Sequence, residues 1–209
     1  MVETRLWKCH SSGHCWPMLN EDNKRQNEPV PDVVLDTCCL VNLAAIDGTL
    51  DCLSSFALTW YVPTAVQAEG IFIRAAADTR VVHRIELTNV MSAGTVQICA
   101  PADDAELALY VELAFSLGDG EAMALAIAEN RGWKVATDDR KARIKADAVG
   151  VSVVTTPELL QHWATDAPHS MADVANARSR IETLARFVPA EDSPAARWWR
   201  KVLEENPQT

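Results

Sequence analysis

Between residues 32 and 163, short β-branched and apolar runs alternate with longer segments whose apolar residues recur at helical spacing. Successive parallel strands need a crossover, so this alternation implies a mainly parallel sheet with helices on both faces. Val33-Val34-Leu35 opens the series as a strand, and LVNLAAI carries helical spacing until Asp47-Gly48 breaks it. Leu58 to Val62 is expected as a second strand, with Pro63 in the first turn of a helix running to about Ala77. Thr95 to Cys99 alternates as a third strand, and Asp103 to Phe115 is helical. Asp119 to Glu129 is Ala-rich and apolar nearly all round, which predicts a buried helix capped by Asp119 and stopped by Gly132. Trp133 to Thr137 reads as a strand, Arg140 to Val149 as a basic helix, Val151 to Thr155 as a strand, and Thr156-Pro157 as the start of a helix. Residues 79 to 93 carry no decisive pattern, and a helix is the default reading there.

The flanks differ from this middle. Residues 1–31 have no apolar period and are dense in Ser, Asn, Gln, Pro and charge, as expected of a poorly ordered arm. Cys9, His10, His14 and Cys15 lie in it at spacings unlike the usual two-pair zinc patterns. Residues 164–209 read as a helical extension. Ser170 caps a helix from Met171 to Val188, and AARWWRKVLEE forms another whose Trp198 and Trp199 are expected to pack back onto the domain. An amphipathic helix at this end would also suit a homodimer.

A 48% hydrophobic share of 209 residues is enough to bury a core and excludes global disorder. No stretch approaches the roughly 18 apolar residues of a membrane span, and no basic segment leads into an apolar run near the start, so a cytoplasmic protein is expected. Six cysteines are few for a disulfide scaffold, and reduced, mostly buried thiols are the default. Nine units of the net charge of −10 belong to residues 32–163, which hold nine basic and eighteen acidic side chains. Such a balance opposes contact with phosphate backbones unless the carboxylates gather around cations.

Four acidic positions are suited to gathering. Asp36 directly follows the first strand and Asp138-Asp139 follow KVAT, placing them where open α/β sheets bind ligands, beyond the carboxyl ends of strands. An Asp there can equally be a turn former or helix cap. Glu69 interrupts the stripe Val62, Val66, Ile73, Ala76, and Glu121 opens an otherwise apolar helix. Glu69 could instead reach solvent from the edge of the stripe, and Glu121 could interact favourably with its helix N-terminus. Like-charged carboxylates 4 Å apart repel by about 4 kcal/mol at an effective dielectric near 20. A cluster therefore needs cations or raised pKa values, and hard oxygen ligands without His or Cys nearby select Mg²⁺ or Mn²⁺ over zinc.

The segments VVLDTCCLVNL, VPTAVQAE, LGDGEAMALAIA and VATDDRKAR, in this order, resemble the PIN-domain family of ribonucleases, including the VapC-type toxins of toxin–antitoxin pairs. The resemblance covers about residues 32–163 and implies a PIN-like α/β fold with a helical C-terminal extension beyond it. It implies that Asp36, Glu69, Glu121 and Asp139 are catalytic acids, and that Asp36, Glu121, Asp138 and Asp139 hold Mg²⁺ or Mn²⁺. Where the family usually has Asp-Thr-Ser or Asp-Ser-Ser, this chain has Asp36-Thr37-Cys38. The implied reaction is metal-assisted hydrolysis of an RNA phosphodiester, with an antitoxin as a further partner class. Thr37 would bond a ligand carboxylate or phosphate, or cap its helix.

Arg140, Lys141, Arg143 and Lys145 could grip RNA phosphates beside such a site, or form a solvated helix face. Arg80, His83 and Arg84 are a weaker RNA-binding set, and Trp60 and Trp133 read as core. A PIN-like module that binds nucleic acid or protein without cleaving is the main alternative. A haloacid-dehalogenase-like phosphatase would need a second Asp where Cys38 stands.

Overall fold

The computed structural model describes residues 31–204 except 76, 79, 167, 168 and 194, together with two short strands nearer the start. Those strands, β1 (Trp7–Cys9) and β2 (Cys15–Pro17), pair antiparallel with Cys9 opposite Cys15. Most of the expected N-terminal arm, His10 and His14 included, lies outside the described residues.

The central sheet is built from β3 (Asp32–Leu35), β4 (Thr59–Pro63), β7 (Val96–Cys99), β8 (Lys134–Ala136) and β9 (Val153–Val154). It has the order β7-β4-β3-β8-β9 and is parallel throughout. Strand alternation divides the interior into two cores. Val33 and Leu35 face one side, with α1 (Thr37–Asp47) and α7 (Thr156–Asp166), while Val34 and Val135 face the other, with α4 (Asp104–Ala114), α5 (Asp119–Arg131) and α6 (Arg140–Ala148). Helices thus cover both faces, as the alternation implies. From Gly120 to Ala128, α5 is buried apart from Glu121, its small side chains allowing close approach to sheet and helices. Among the described residues no helix is long and apolar enough to cross a membrane.

The chain departs from expectation in three places. The helix after Pro63 is the short α2 (Thr64–Glu69), because Gly70 takes a positive φ of 74° and the chain re-emerges as β5 (Ile71–Arg74). Strand β5 pairs antiparallel with β6 (Val82–Ile85), where a helix was the default, and only α3 (Thr88–Ser92) follows as helix. Ile71 and Ile73 are buried while Phe72 is exposed, so this stretch obeys a period of two. The expected stripe is therefore not helical at Ile73, and Ala76 lies outside the described residues. Finally, α8 (Met171–Arg180) passes into a π-helical turn, Ile181–Ala185, and stops at Arg186 rather than running to Val188, which is exposed.

The helical extension packs on the core rather than standing apart. Val174, Ile181 and Leu184 join the core beside α1, as do Trp199 and Val202 of α9 (Ala196–Glu204). Cys38, Cys39, Cys52 and Cys99 are free thiols, the last three buried.

Candidate functional site

From β3 the chain passes outward to β4 and β7 and later returns to β8 on the other side, so the order reverses between β3 and β8. Ligands of open α/β sheets bind in the crevice at such a point, beyond the carboxyl ends of the strands. Asp36 leaves β3 there, and Asp138 and Asp139 leave β8.

Asp36 is completely buried and caps α1, its Oδ1 accepting from Cys39 N at 2.8 Å. The Cys38 thiol donates to Oδ1 and Oδ2 at 3.0 and 3.1 Å, and the Thr137 hydroxyl bonds the same carboxylate. Burial pushes the Asp36 carboxyl up to about 7 against these stabilising bonds, and nearby Asp138 adds to the rise. Capping thus falls to Asp36 rather than Thr37. The Thr37 hydroxyl instead donates to Glu69 Oε2, while Gly120 N donates to Glu69 Oε1 at 3.2 Å. These two bonds bring the last residue of α2 to the start of α5, although Glu69 itself is exposed.

Glu121 reaches back to accept from Gly118 N at 3.2 Å, so Gly118, not Asp119, precedes the helix as its cap residue. Burial raises the Glu121 pKa, the Gly118 bond opposes this, and the charges of Asp139 and Glu69 raise it further. That electrostatic reach unites three acids from α2, α5 and the β8–α6 junction. Asp139 caps α6 through Ala142 N at 2.9 Å. Asp138 points elsewhere: its oxygens accept from Thr156 N at 3.0 Å, the Thr156 hydroxyl, Asn42 Nδ2 at 3.0 Å and Cys39 Sγ at 3.3 Å. It ties α1 to α7, and burial raises its pKa.

Two adjoining clefts open over these groups. One, of about 430 Å³, is lined by Thr37, Cys38, Glu69 and Glu121 on the sheet side and by Ala185, Arg186 and Phe187 of the extension. The other, of about 590 Å³, contains Glu121, Asp139, Arg140 and Lys141. They share Gly118 and Glu121. Arg143 and Lys145 line neither cleft, although they share α6 with Arg140 and Lys141.

The structure therefore gathers Glu69, Glu121 and Asp139 at the clefts. It sets Asp36 beneath Cys38 and uses Asp138 as a brace. Among the described residues, the metal-capable group with all ligand atoms within 4.8 Å of one another is Asp36, Cys38 and Cys39. Cys38, where a hydroxyl was expected, thus belongs to the site through Asp36. Arg80 and Arg84 pair with Asp78 and Glu86 on the β5–β6 hairpin, which with His83 lies outside both clefts. Trp60 is core, and Trp133 stacks on Tyr61 at 4.0 Å. Cleft residues that the sequence did not single out include Gly118, Gly120, Ala185, Arg186 and Phe187. The glycines sit within a quoted motif, but nothing in the pattern of residues 185–187 marks them.

A PIN-domain family model matches residues 32–167. Among solved structures, the chain is similar to a PilT N-terminus domain protein, SSO1118, from the hyperthermophilic archaeon Sulfolobus solfataricus P2. The identity is 14% and the TM-score 0.39, over 66% of this chain and 98% of that one. No curated protein matches. The family match spans well over half of the chain, from the strand that presents Asp36 to the helix that braces Asp138, and the chain belongs to the PIN-domain family.

Proposed function

We propose that the protein is a metal-dependent endoribonuclease that hydrolyses RNA phosphodiester bonds. The observation that carries this reading is the meeting of Glu69, Glu121 and Asp139 at two adjoining clefts, with Arg140 and Lys141 on the rim. The charges of Asp139 and Glu69 add to the cost of ionising Glu121, a cost that a divalent cation relieves. Carboxylate oxygens are the donors that favour Mg²⁺ or Mn²⁺, and Asp36 also belongs to the group whose ligand atoms lie within 4.8 Å of one another. Asp36, Glu121 and Asp139 are assigned as its holders, with Asp138 as an auxiliary acid acting mainly through its brace to Thr156 and Asn42. When bound, such an ion would lower the pKa of the attacking water and neutralise charge developing at phosphorus.

The remaining steps belong to the chain. Glu69, held by Thr37 and Gly120, accepts a hydrogen bond from the attacking water and orients it. Arg140 and Lys141 hold the substrate phosphate from the start of α6. Arg143 and Lys145 extend this basic face to flanking RNA. A toxin role with an antitoxin partner, and a homodimer, belong to the same reading as partner classes. Leu107 and Val111 of α4, with Phe115 directly after it, are exposed apolar side chains available to either.

Cleavage of a single-stranded RNA by purified protein should require Mg²⁺ or Mn²⁺, stop with EDTA, and disappear in folded Asp36→Asn and Glu121→Gln variants. Undiminished cutting by either variant would remove this mechanism. A module that binds RNA without cutting is the second reading, favoured by the enclosure of Asp36 beneath Cys38. Tight RNA binding with no metal-dependent cutting would establish it.

A further inference from the structure

Arg186 lies outside the segment matched by the PIN family, yet it lines the same cleft as Thr37, Cys38, Glu69 and Glu121. Its position is built. The π-helical turn before it is anchored by Ile181 and Leu184 in the core, and the Arg186 N–H closes that turn on Ile181 O. Glu182 in the turn accepts from both Arg178 NH2, at 2.7 Å, and Trp199 Nε1, at 2.9 Å. Phe187 packs edge-on against Trp199. Arg180 Nε donates to Ala45 O at 2.9 Å, fastening the same helix to α1.

Arg186 has φ 58° and ψ 36°, a left-handed conformation ordinarily filled by Gly or Asn. A π-helical turn next to a strained non-Gly residue is a combination that concentrates at functional sites. The guanidinium is exposed, and no ion pair or side-chain hydrogen bond holds it among the described residues. A cation facing a cleft with two carboxylates, yet paired with neither, is available to an anionic ligand. Its planar fork matches two non-bridging oxygens of a phosphodiester.

Arg140 and Lys141 line the neighbouring cleft beyond the shared Glu121. We infer that the C-terminal segment completes the substrate site. Arg186 grips a phosphate of single-stranded RNA on the Thr37–Cys38 side of the acids, and Arg140 with Lys141 holds the strand on the other side. The RNA backbone then crosses the acidic centre between two cationic walls, which offsets the repulsion expected from a domain rich in carboxylates. The inference rests on the nuclease reading for the identity of the strand, and its test separates the two.

Full-length Arg186→Gln and Arg186→Lys are compared with the parent, each carrying Glu121→Gln to block cutting. Binding of a labelled 12-nucleotide single-stranded RNA is followed by fluorescence anisotropy in Mg²⁺ at several salt concentrations. All three proteins should have the same circular dichroism, since Gln and Lys meet the same backbone demand as Arg. Arg186→Gln should bind several-fold more weakly, with a log K against log salt slope shallower by about 0.7, the loss of one phosphate contact to a single strand. Arg186→Lys should keep the slope. Unchanged affinity and slope in Arg186→Gln would overturn the inference while leaving the nuclease reading intact if the otherwise unaltered protein cuts RNA. Faster cutting by Arg186→Gln in the active protein would also overturn it, showing that the side chain blocks the cleft. Loss of binding and slope in Arg186→Gln from a protein that never cuts would support the phosphate contact and refute the nuclease.

Discussion

Gly120 shows how closely single residues hold the site together. A Cβ there would lie 2.9 Å from Val66 Cγ2, 3.0 Å from Glu69 Oε1 and 3.2 Å from Thr37 Oγ1. A methyl group would push apart the Thr37–Glu69 pair and the helix start that donates to it. Gly120→Ala should therefore cost about 1–3 kcal/mol in a urea titration and lower RNA cleavage more than that stability loss explains. Asp36 gives a pH signature. Its carboxyl rises from 3.8 to about 7 in the folded protein, chiefly through burial. Folding is thus favoured below pH 3.8 by the uncharged acid, and that contribution is lost as pH rises through about 7. The metal-free protein should lose stability relative to Asp36→Asn between pH 5 and 8, by on the order of 2–4 kcal/mol. Parallel urea midpoints for the two proteins across that range would contradict the buried carboxyl. The role of Asp36 beyond its strand was open to sequence reasoning, but its contact with Cys38 and its enclosure depend on where β8 and α7 lie.

At the scale of elements, the cleft wall opposite the acids depends on the packing of α8, the π-helical turn and α9. Trp199 is fully buried, receives Phe187 edge-on and bonds Glu182. Trp199→Ala should destabilise the protein by about 3–5 kcal/mol in chemical denaturation, and at temperatures where it remains folded it should weaken RNA binding by releasing residues 185–187. Wild-type binding by that variant would detach α9 from the site. On the other face, Arg131 Nε donates to Glu106 Oε1 at 2.6 Å, and its NH2 donates to Ala100 O at 2.9 Å, fixing α4 against α5. Most elements were legible because their cues are local: Asp103 before α4, Gly132 after α5, Ser170 before α8. The error after Glu69 has a local cause too. Val66, Glu69 and Ile73 fit helical spacing, but the positive φ of Gly70 ends the helix, and β5 is stabilised by β6, a partner more distant in sequence.

The whole molecule joins an acidic sheet domain to a C-terminal segment that shares its core. If Asp36, Glu121 and Asp139 hold a divalent ion, Mg²⁺ at 100 times its Kd should stabilise the fold by about 2.7 kcal/mol, raising Tm by roughly 5–10 °C for a chain of this size. Asp36→Asn and Glu121→Gln should lose most of that shift. An equal shift in all three proteins would place the ion elsewhere. The parallel sheet, the two-sided burial and the acidic positions after strands and in helices could be read from local periodicity and from residues that terminate strands and helices, because those cues act within a few positions of the chain. Which acids meet could not. Glu69 reaches the cleft by bonding Thr37 and Gly120, Asp138 turns to Thr156 and Asn42, and Arg186 enters from a segment with no motif. Each of those outcomes depends on contacts between residues far apart in sequence, where strand order, helix packing and one left-handed residue decide which way a side chain faces.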